Sequence, residues 1–258
     1  MEGVGLVEIV DPSPDALALG KRRLAEMPDP VHPAEYRWLR SIEDVASDGD
    51  LCIIATQAKG RSALLREIAE TAGYSKFILE KMAANSVDEL DSLLGYSRKK
   101  GLSVWVNCKS RGYRIHQRVK RMLDPGEPIE FSVVGGNHGL ASGGIHLADL
   151  FVFYDESDEI TSSGLRIDPV LHPSKRGKEL FDLSGAMFGH TAKGGRFYMS
   201  YASDHTNWAH LTVATRRYRC VVDHLQRCAY ESNAETGWEW RQAPFDGPIL
   251  VSEMTKGF

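Results

Sequence analysis

The chain has 258 residues, of which 42% are hydrophobic and 26% charged, with a formal net charge of −4. This balance predicts a globular protein with room for two domains, and it argues against a nucleic-acid-binding protein, which would normally carry a basic face. No apolar stretch approaches the ~20 residues of a membrane-spanning helix, and the N-terminus lacks the pattern of a secretion signal. The four cysteines show no Cys-x-x-Cys spacing, so we expect reduced thiols in a cytoplasmic protein.

Strands and helices alternate at short spacing over about the first 107 residues. Apolar, β-rich runs predict strands at 4–10, 36–38, 51–56, 77–79 and 102–106. Helical spacing and capping residues predict helices at 15–27, from 41, at 61–72 and from 86. This rhythm is typical of βαβ units and predicts a parallel sheet. The run at 51–56 is almost continuously apolar, so we expect its strand to be covered on both faces.

The chain after about residue 110 follows a different pattern. Helical spacing predicts helices at 111–123 and 144–154. Alternating apolar and polar residues predict strands at 129–134, 196–201, 210–214, 218–223 and 249–251. Such alternation is typical of an antiparallel sheet with one exposed face. We therefore predict an α/β domain over residues 1–110, followed by an α+β domain with a largely antiparallel sheet over residues 111–258.

Charged residues follow two predicted strands of the first domain. Glu80 and Lys81 come directly after the apolar run at 77–79. In open α/β sheets ligands bind just outside the carboxyl ends of the strands, where an ammonium can hold a substrate hydroxyl or assist a proton transfer. The alternative is a solvated ion pair that opens the next helix. Asp11, which follows the first run, is either an acceptor for the hydroxyls of an adenosine ribose or a helix N-cap.

Two further segments have the composition of a binding cleft. Thr56, Gln57 and Arg61 come after the second long apolar run, where a strand end would line a cofactor cleft. The glycine-rich segment at 135–144 would allow close backbone approach, and it leads into an apolar helix that carries His146. A neutral imidazole suits proton transfer near physiological pH, although a packed core histidine is the alternative interpretation.

The order of these features resembles the Gfo/Idh/MocA family of NAD(P)-dependent sugar oxidoreductases. In that family one strand ends Ala-Thr, the next carries Glu-Lys-Pro, and a helix carries Asp-x-x-x-His with another Asp soon after. The matching residues here are Ala55-Thr56, Glu80-Lys81-Met82, and Ser142 and His146 with Asp149. The segment Asn107-Cys-x-x-Arg111, together with Gly-Gly-Asn-x-Gly-Leu-Ala at 135–141, resembles a subgroup associated with capsule and sialic-acid-like sugar biosynthesis.

The resemblance implies a Rossmann-like first domain that binds NAD or NADP, and a second domain for substrate and oligomerisation. Lys81 would contact the substrate hydroxyl and the nicotinamide ribose. His146 would take or give the hydroxyl proton while hydride passes between the sugar carbon and the nicotinamide. Asp149, three residues further along the helix, would orient the imidazole or bind substrate. The candidate contacts are Asn107, Arg111 and Ser142 for the substrate, and Asp11, Thr56, Gln57, Arg61 and Glu80 for the cofactor.

The sequence departs from the family pattern in several places. Asp11 stands where the family has its ribose-binding acid, yet only ten residues precede it, so we expect the first Rossmann strand, the phosphate loop and the first helix to be absent. A final helix is also expected to be missing, so the chain has the pattern of a protein shortened at both ends. Met82 replaces the family's proline, which predicts a trans peptide bond before it. Ser142 replaces an aspartate, which removes one carboxylate from the proton-handling site.

These features define a leading hypothesis and two alternatives. The leading hypothesis is an NAD(P)-dependent oxidoreductase that acts on a sugar or nucleotide sugar. The chain could instead be a catalytically impaired relative that acts in binding or assembly, or a sugar lyase or glycosidase that uses bound nicotinamide without net redox change. We also expect a cytoplasmic homo-oligomer with no nucleic-acid or membrane partner. We expect no metal site, because the spacing of His205 and His210 does not place both imidazoles on one helical face.

Overall fold

The structure is a computed structural model that describes residues 3–26, 34–136, 139–173, 181–202 and 209–245. These residues form two compact units that divide after Asn107. Unit 1 comprises the described residues up to 107, and unit 2 comprises those from 108 to 245. Of the predicted elements, the strand at 249–251 and the end of the helix at 15–27 lie outside the described residues.

Strands alternate with α-helices along the described part of unit 1, as the sequence predicts. The strands are β1 (Leu6–Val10), β2 (Glu35–Leu39), β3 (Cys52–Ile54), β4 (Lys76–Glu80) and β5 (Ser103–Asn107). The helices are α1 (Pro14–Ala25), α2 (Arg61–Thr71) and α3 (Val87–Lys100), with a short 3-10 helix at Ile42–Asp44. Strand β1 pairs with β2, and β3, β4 and β5 form a second sheet in that order. Every pair is parallel, which confirms the predicted α/β class for this unit.

Helix α3 begins at a serine that the sequence marks as a cap. The Ser86 hydroxyl accepts a hydrogen bond from the Glu89 amide at 3.1 Å, and the Glu89 carboxylate accepts one from the Asn85 amide at 2.9 Å. At the other end of α3, Gly101 adopts a left-handed conformation with φ of 67°. A glycine there avoids the steric cost that a side chain would meet, so α3 ends at that residue.

The core of unit 1 lies on one face of the β3–β4–β5 sheet. Ile54, Phe77 and Leu79 point into it and pack with side chains of α2 and α3, including Leu65 and Leu93. The opposite face carries Ile53, Ile78 and Trp105, which are neighbours in register across the three strands. Ile53 is 64% exposed and Trp105 is 53% exposed. The expectation that the 51–56 strand is covered on both faces was therefore wrong for the described residues, because α2 and α3 pack on the face that carries Ile54 and leave Ile53 exposed.

Unit 2 contains a large mixed sheet and two α-helices within its described residues. The strands are β6 (Glu130–Gly136), β7 (Thr161–Pro173), β8 (Phe181–His190), β9 (Arg196–Ala202), β10 (Ala209–Ala214), β11 (Tyr218–Asp223), β12 (Cys228–Asn233) and β13 (Arg241–Ala243). The helices are α4 (Arg114–Met122), preceded by a 3-10 turn at Lys109–Gly112, and α5 (Leu140–Asp155). The strand order is β13-β12-β11-β10-β6-β9-β8-β7, and only β6 and β9 run parallel. The predicted α+β class is confirmed.

Helix α5 covers one face of this sheet. The Phe151 ring packs between the rings of Phe131 and Phe197, with centroid distances of 5.7 and 5.3 Å. Leu150 and Phe151 are fully buried. The other face of the sheet carries exposed apolar side chains, among them Phe188 and Tyr198. One covered and one exposed face explain the alternating pattern of the sequence.

Candidate functional site

The first group of predicted site residues lies at the carboxyl edge of the β3–β4–β5 sheet. Glu80 and Asn107 are register partners at the ends of β4 and β5. The Asn107 amide donates a hydrogen bond to the Glu80 carboxylate at 2.6 Å. Thr56 and Gln57 follow β3 and are exposed at the same edge. Parallel pairing thus brings together residues that the sequence marks at three separate strand ends.

The side chain of Arg61 is hydrogen-bonded to the backbone at this edge of the sheet. Its side chain is 1% exposed, and its guanidinium donates hydrogen bonds to the backbone carbonyls of Thr56, Glu80 and Met82, the second at 2.6 Å. The prediction that Arg61 lines the cofactor cleft needs correction, because the guanidinium is enclosed and bonded to the backbone. Its five donors let one side chain satisfy carbonyls at the ends of two strands.

Lys81 occupies the position that the strand-end argument predicts. It directly follows β4, and it is 4% exposed. Burial of a lysine in a strand-end position is unusual, because an ammonium group favours water unless it has partners. The Lys81–Met82 peptide bond is cis, so the expectation of a trans bond was wrong. The guanidinium of Arg61 bonds the carbonyls of the residues on either side of Lys81, which holds the chain in this turn.

Asp11 lies at the end of β1, in the smaller sheet of unit 1. One carboxylate oxygen accepts a hydrogen bond from the Ser13 amide at 2.8 Å, and the Ser13 hydroxyl accepts one from the Ala16 amide at 3.3 Å. Ser13 is therefore the N-cap of α1. A carboxylate can accept about four hydrogen bonds, so the turn leaves Asp11 with acceptor capacity for a ribose hydroxyl.

In unit 2, His146 lines a small cavity beside α5. The cavity has a volume of about 50 Å³, and most of its lining surface is apolar. Gly143 and Leu147 of α5 contribute to its wall together with side chains from the 3-10 turn and the sheet: Lys109, Ser110, Tyr113, Tyr201, Ala209 and His224. The predicted proton-transfer histidine thus faces a cavity of unit 2.

The N-terminus of α5 is capped by a carboxylate from a distant strand. Oδ1 of Asp182, in β8, accepts hydrogen bonds from the amides of Ala141 at 3.1 Å and Ser142 at 3.3 Å. A Cβ at Gly139 would lie 1.7 Å from the Asp182 carboxyl carbon, so this approach requires glycine. The positive end of the helix is therefore already matched by a negative charge. Ser142 is a member of this cap, and its predicted substrate contact stays a prediction.

Arg111 and Asp149 form a bidentate ion pair. Both carboxylate oxygens of Asp149 accept hydrogen bonds from the Arg111 guanidinium at 2.6 Å. The guanidinium also lies 5.6 Å from the centre of the Phe153 ring. This pair ties the 3-10 turn to α5 and fixes the carboxylate that the sequence analysis assigns to His146 orientation or substrate binding.

A buried chain of three side chains supports the cavity wall. Nδ1 of His116 lies 2.7 Å from the Tyr154 hydroxyl, and Nε2 of His116 lies 2.8 Å from Nε2 of His224. The imidazole of His224 also hydrogen-bonds the backbone of Ala209. Burial lowers the pKa of His224 to about 4 and that of His116 well below its ordinary value, while it raises the pKa of Tyr154. Both imidazoles are therefore neutral at physiological pH.

The neutral imidazoles define one consistent set of tautomers. An imidazole N–H that bonds a backbone carbonyl must donate, so the nitrogen of His224 that faces Ala209 carries the proton. Nε2 of His224 then accepts from Nε2–H of His116, and Nδ1 of His116 accepts from the Tyr154 hydroxyl. Sequence analysis missed this network, because His116 and His224 lie 108 residues apart and follow no motif.

No protein-family model and no curated protein matches the sequence, whereas solved structures share its fold. An oxidoreductase from Agrobacterium radiobacter, solved with NAD+, L-tartaric acid and magnesium, superposes with a TM-score of 0.73 at 16% identity, covering 99% of this chain and 78% of that one. The UDP-N-acetylglucosamine 3-dehydrogenase GnnA from Acidithiobacillus ferrooxidans gives 0.72 at 12%, covering 95% and 76%. A super-repressor mutant of Gal80p from Saccharomyces cerevisiae gives 0.73 at 12%, covering 98% and 74%.

These likenesses establish the fold of NAD-binding oxidoreductases, which a transcriptional regulator, Gal80p, shares. Among the described residues, no three His, Cys, Asp or Glu side chains are grouped to hold a metal ion. None of the helices in the described ranges combines the length and apolar character needed to cross a bilayer.

Proposed function

We propose that the chain is an NAD(P)-dependent oxidoreductase of the Gfo/Idh/MocA type that acts on a sugar or nucleotide sugar. The observation that carries the proposal is the buried Lys81 directly after β4, in a fold shared with NAD-binding dehydrogenases. His146, on the cavity of unit 2, supports it, because the reaction needs a group that moves a hydroxyl proton.

Polar residues at the strand ends of unit 1 are the groups that would hold the cofactor. Asp11 retains acceptor capacity for ribose hydroxyls, and Thr56, Gln57 and the Glu80–Asn107 pair line the carboxyl edge of a parallel sheet. Bound nicotinamide would supply the hydride acceptor or donor. The ammonium of Lys81 would orient the substrate hydroxyl by donating a hydrogen bond to its oxygen. In unit 2, the imidazole of His146 would take a proton from a substrate hydroxyl during oxidation and return it during reduction.

Cofactor binding and hydride transfer test the proposal separately. Titration of the purified chain with NADH and NADPH, read by nicotinamide fluorescence, should show saturable binding of one or both. Lys81→Met should retain this binding and lower the rate of hydride transfer to or from the sugar by roughly 100-fold or more. Lys76→Met, at the exposed opposite end of β4, is the matched control and should keep full activity. No saturable nicotinamide binding, or full activity of Lys81→Met, would overturn the proposal.

A non-catalytic binding role is the second candidate, and the likeness to Gal80p favours it. Such a protein would bind nicotinamide or a sugar without transferring hydride. Calorimetric binding of NADH, combined with unchanged nicotinamide absorbance after addition of a panel of sugars and sugar nucleotides, would support this role. Hydride transfer with any sugar of the panel would exclude it.

We also propose that the protein is a cytoplasmic homo-oligomer that pairs through the uncovered sheet face of unit 2. The proposal is supported by Phe188 and Tyr198, register partners that are 49% and 45% exposed on this face. Burying such a row against a second copy would remove apolar surface from water. Sedimentation should show a dimer or larger assembly for the native chain and a monomer for Phe188→Glu. A native monomer would contradict the proposal.

A further inference from the structure

The backbone ladder between β3 and β4 ends just before the candidate site of unit 1 begins. The last pair of residues in register is Ile54 with Leu79. Beyond this pair, the guanidinium of Arg61 donates hydrogen bonds to the carbonyl of Thr56, after β3, and to that of Glu80, at the end of β4. A single side chain therefore links the two strand ends where the ladder no longer does.

The backbone that carries this guanidinium is itself well anchored. Arg61 is the first residue of α2, and Leu65, about one turn further on, is fully buried in the core of unit 1. Arg61 is only 1% exposed, so the protein encloses its side chain. The donors of a guanidinium lie in one plane at fixed angles, so the carbonyls that accept from it are held at fixed positions relative to one another.

Lys81 lies between two of the carbonyls that Arg61 binds. Its neighbours in the chain, Glu80 and Met82, both accept hydrogen bonds from Nη1 of Arg61, Glu80 at 2.6 Å. The side chain of Lys81, which is 4% exposed, thus projects from a backbone segment whose flanking carbonyls share one nitrogen. This arrangement restricts the backbone at Lys81 and, with it, the direction of the ammonium group.

A buried guanidinium is a costly way to satisfy carbonyls at the end of a strand. Burial of its charge carries a desolvation penalty, whereas such carbonyls can accept hydrogen bonds from water instead. The penalty is expected where the position of a reacting group must be fixed, because a displacement of about 1 Å can lower a reaction rate by about 100-fold. Supporting side chains that touch no ligand commonly supply this precision.

We infer that Arg61 is a positioning residue of the proposed reaction, which fixes the Lys81 ammonium relative to the end of β3, where Thr56 lies. This inference rests on the proposed function, in which Lys81 orients the substrate hydroxyl. It adds a residue that contacts neither substrate nor cofactor. Because Arg61 acts through Lys81, its contribution to the rate of hydride transfer should disappear when Lys81 is replaced.

A double-mutant cycle on the full chain tests this dependence. Arg61→Lys keeps a cation but lacks the planar group of donors. With the sugar of the panel that the native chain converts fastest, Arg61→Lys should lower kcat by about 10-fold to 100-fold while saturable NADH binding remains. In the Lys81→Met background, the same substitution should lower kcat by less than about threefold. Arg66→Lys, on the same helix, alters a contact to Ser92 and is the matched control, which should keep full activity.

A second measurement follows Lys81 without cofactor or sugar. Reductive methylation with formaldehyde, followed by mass spectrometry of the peptides, gives a labelling rate for each lysine. Arg61→Lys should raise the labelling rate of Lys81 by about tenfold or more, because loss of the backbone hydrogen bonds lets the buried ammonium reach solvent. The labelling rate of Lys76, at the exposed opposite end of β4, should stay unchanged and would show that the variant is folded.

Full activity of Arg61→Lys, equal losses of kcat in the native and Lys81→Met backgrounds, or an unchanged labelling rate of Lys81 would overturn the inference. Its outcome is separable from that of the proposed function. A chain that transfers hydride equally well with Arg61→Lys keeps the proposed function and contradicts the positioning role. A native chain that transfers no hydride, but whose Lys81 is labelled faster in Arg61→Lys, keeps the hold of Arg61 on Lys81 and contradicts the oxidoreductase proposal.

Discussion

The sheets of the two units differ in how their described residues cover them. In unit 1 the β3–β4–β5 sheet packs its helices on one face and leaves the Ile53–Ile78–Trp105 row on the other. In unit 2 α5 covers a sheet whose strands alternate apolar and polar residues, and its aromatic core is fully enclosed. Exposed apolar side chains are therefore unexpected on the parallel sheet of unit 1, because such sheets are normally covered on both faces. They are less unusual on the largely antiparallel sheet of unit 2, because antiparallel sheets often leave one face exposed.

The units also bury different kinds of polar groups. Unit 1 buries two cations, Arg61 and Lys81, at the strand ends that carry its candidate site. Unit 2 buries the imidazoles of His116 and His224, which remain neutral. A buried permanent charge needs strong acceptors, and Arg61 finds them in backbone carbonyls. A buried imidazole can instead lose its proton and become neutral. The stability of unit 2 should therefore depend on pH, whereas the contribution of the Arg61 hydrogen bonds should not.

Replacing Arg61 should have the largest effect on stability. Arg61→Met removes the hydrogen-bond donors to the backbone carbonyls of Thr56, Glu80 and Met82. These acceptors are then left unsatisfied. We expect a loss of about 3 to 5 kcal/mol in the free energy of unfolding, measured by urea denaturation with hydrogen exchange of β3 and β4. Arg66→Met on the same helix removes an exposed contact to Ser92 and should cost about 0.5 kcal/mol. Equal losses for the two variants would show that the buried hydrogen bonds of Arg61 do not stabilise the strand ends more than an exposed contact does.

Acidification should destabilise unit 2 through its neutral imidazoles. In the folded state the pKa of His224 is about 4 and that of His116 is lower than its ordinary value of 6.5. Below about pH 6.5 the unfolded chain therefore binds more protons, so the stability is complete above that pH and falls as the pH drops towards 4. Each histidine contributes up to about 1.4 kcal/mol per pH unit in this window.

Urea unfolding at a series of pH values measures this contribution. His224→Gln should flatten the loss of stability between about pH 6.5 and pH 5, compared with the native chain. His210→Gln, which changes an exposed histidine of β10, should leave the slope as it is. A native chain whose free energy of unfolding stays constant over this range would contradict the neutral network.

The sequence predicts most strands of the fold but misses β7, β8, β12 and β13. Strand β7 lies at the edge of the sheet, contains Gly164 and Pro169, and shifts register at two points along β8. Proline cannot donate to a ladder, and most residues of β7 are exposed, so this strand lacks the alternation of apolar and polar residues that marks a half-buried strand. Strand β8 contains Gly185 with φ of 145° and Gly189, which interrupt its pattern in the same way.

For the candidate site, local pattern identifies the residues and only the fold identifies their partners. Glu80, Lys81 and Asn107 are recognisable because each follows an apolar run. The role of Arg61 is not recognisable, since its acceptors at Glu80 and Met82 lie 19 and 21 residues away. The α5 cap is hidden for the same reason. The capping carboxylate belongs to Asp182, which lies about 40 residues after the two amides that donate hydrogen bonds to it.

Loss of that cap should have an intermediate effect. Asp182→Asn keeps the size of the side chain but removes the negative charge at the positive end of α5. We expect the free energy of unfolding to fall by about 1 to 2 kcal/mol, because the carboxylate is buried and bonds two helix amides. Asp158→Asn, an exposed residue after α5, should change it by less than about 0.5 kcal/mol. Hydrogen exchange at the first turn of α5 would show whether fraying accounts for the loss.

The smallest loss of stability should come from a substitution on the uncovered sheet face of unit 1. The adjacent residues Ile53 and Ile54 allow this face to be compared with the core face. Ile53 is 64% exposed, whereas Ile54 is 2% exposed and faces the core. Ile54→Ala should cost about 2 to 4 kcal/mol, while Ile53→Ala should cost less than about 1 kcal/mol, since little apolar surface leaves or enters water there. Urea unfolding of the two variants measures both losses under the same conditions. Equal losses would mean that this face is covered in solution, and the contrast between the sheets of the two units would then be wrong.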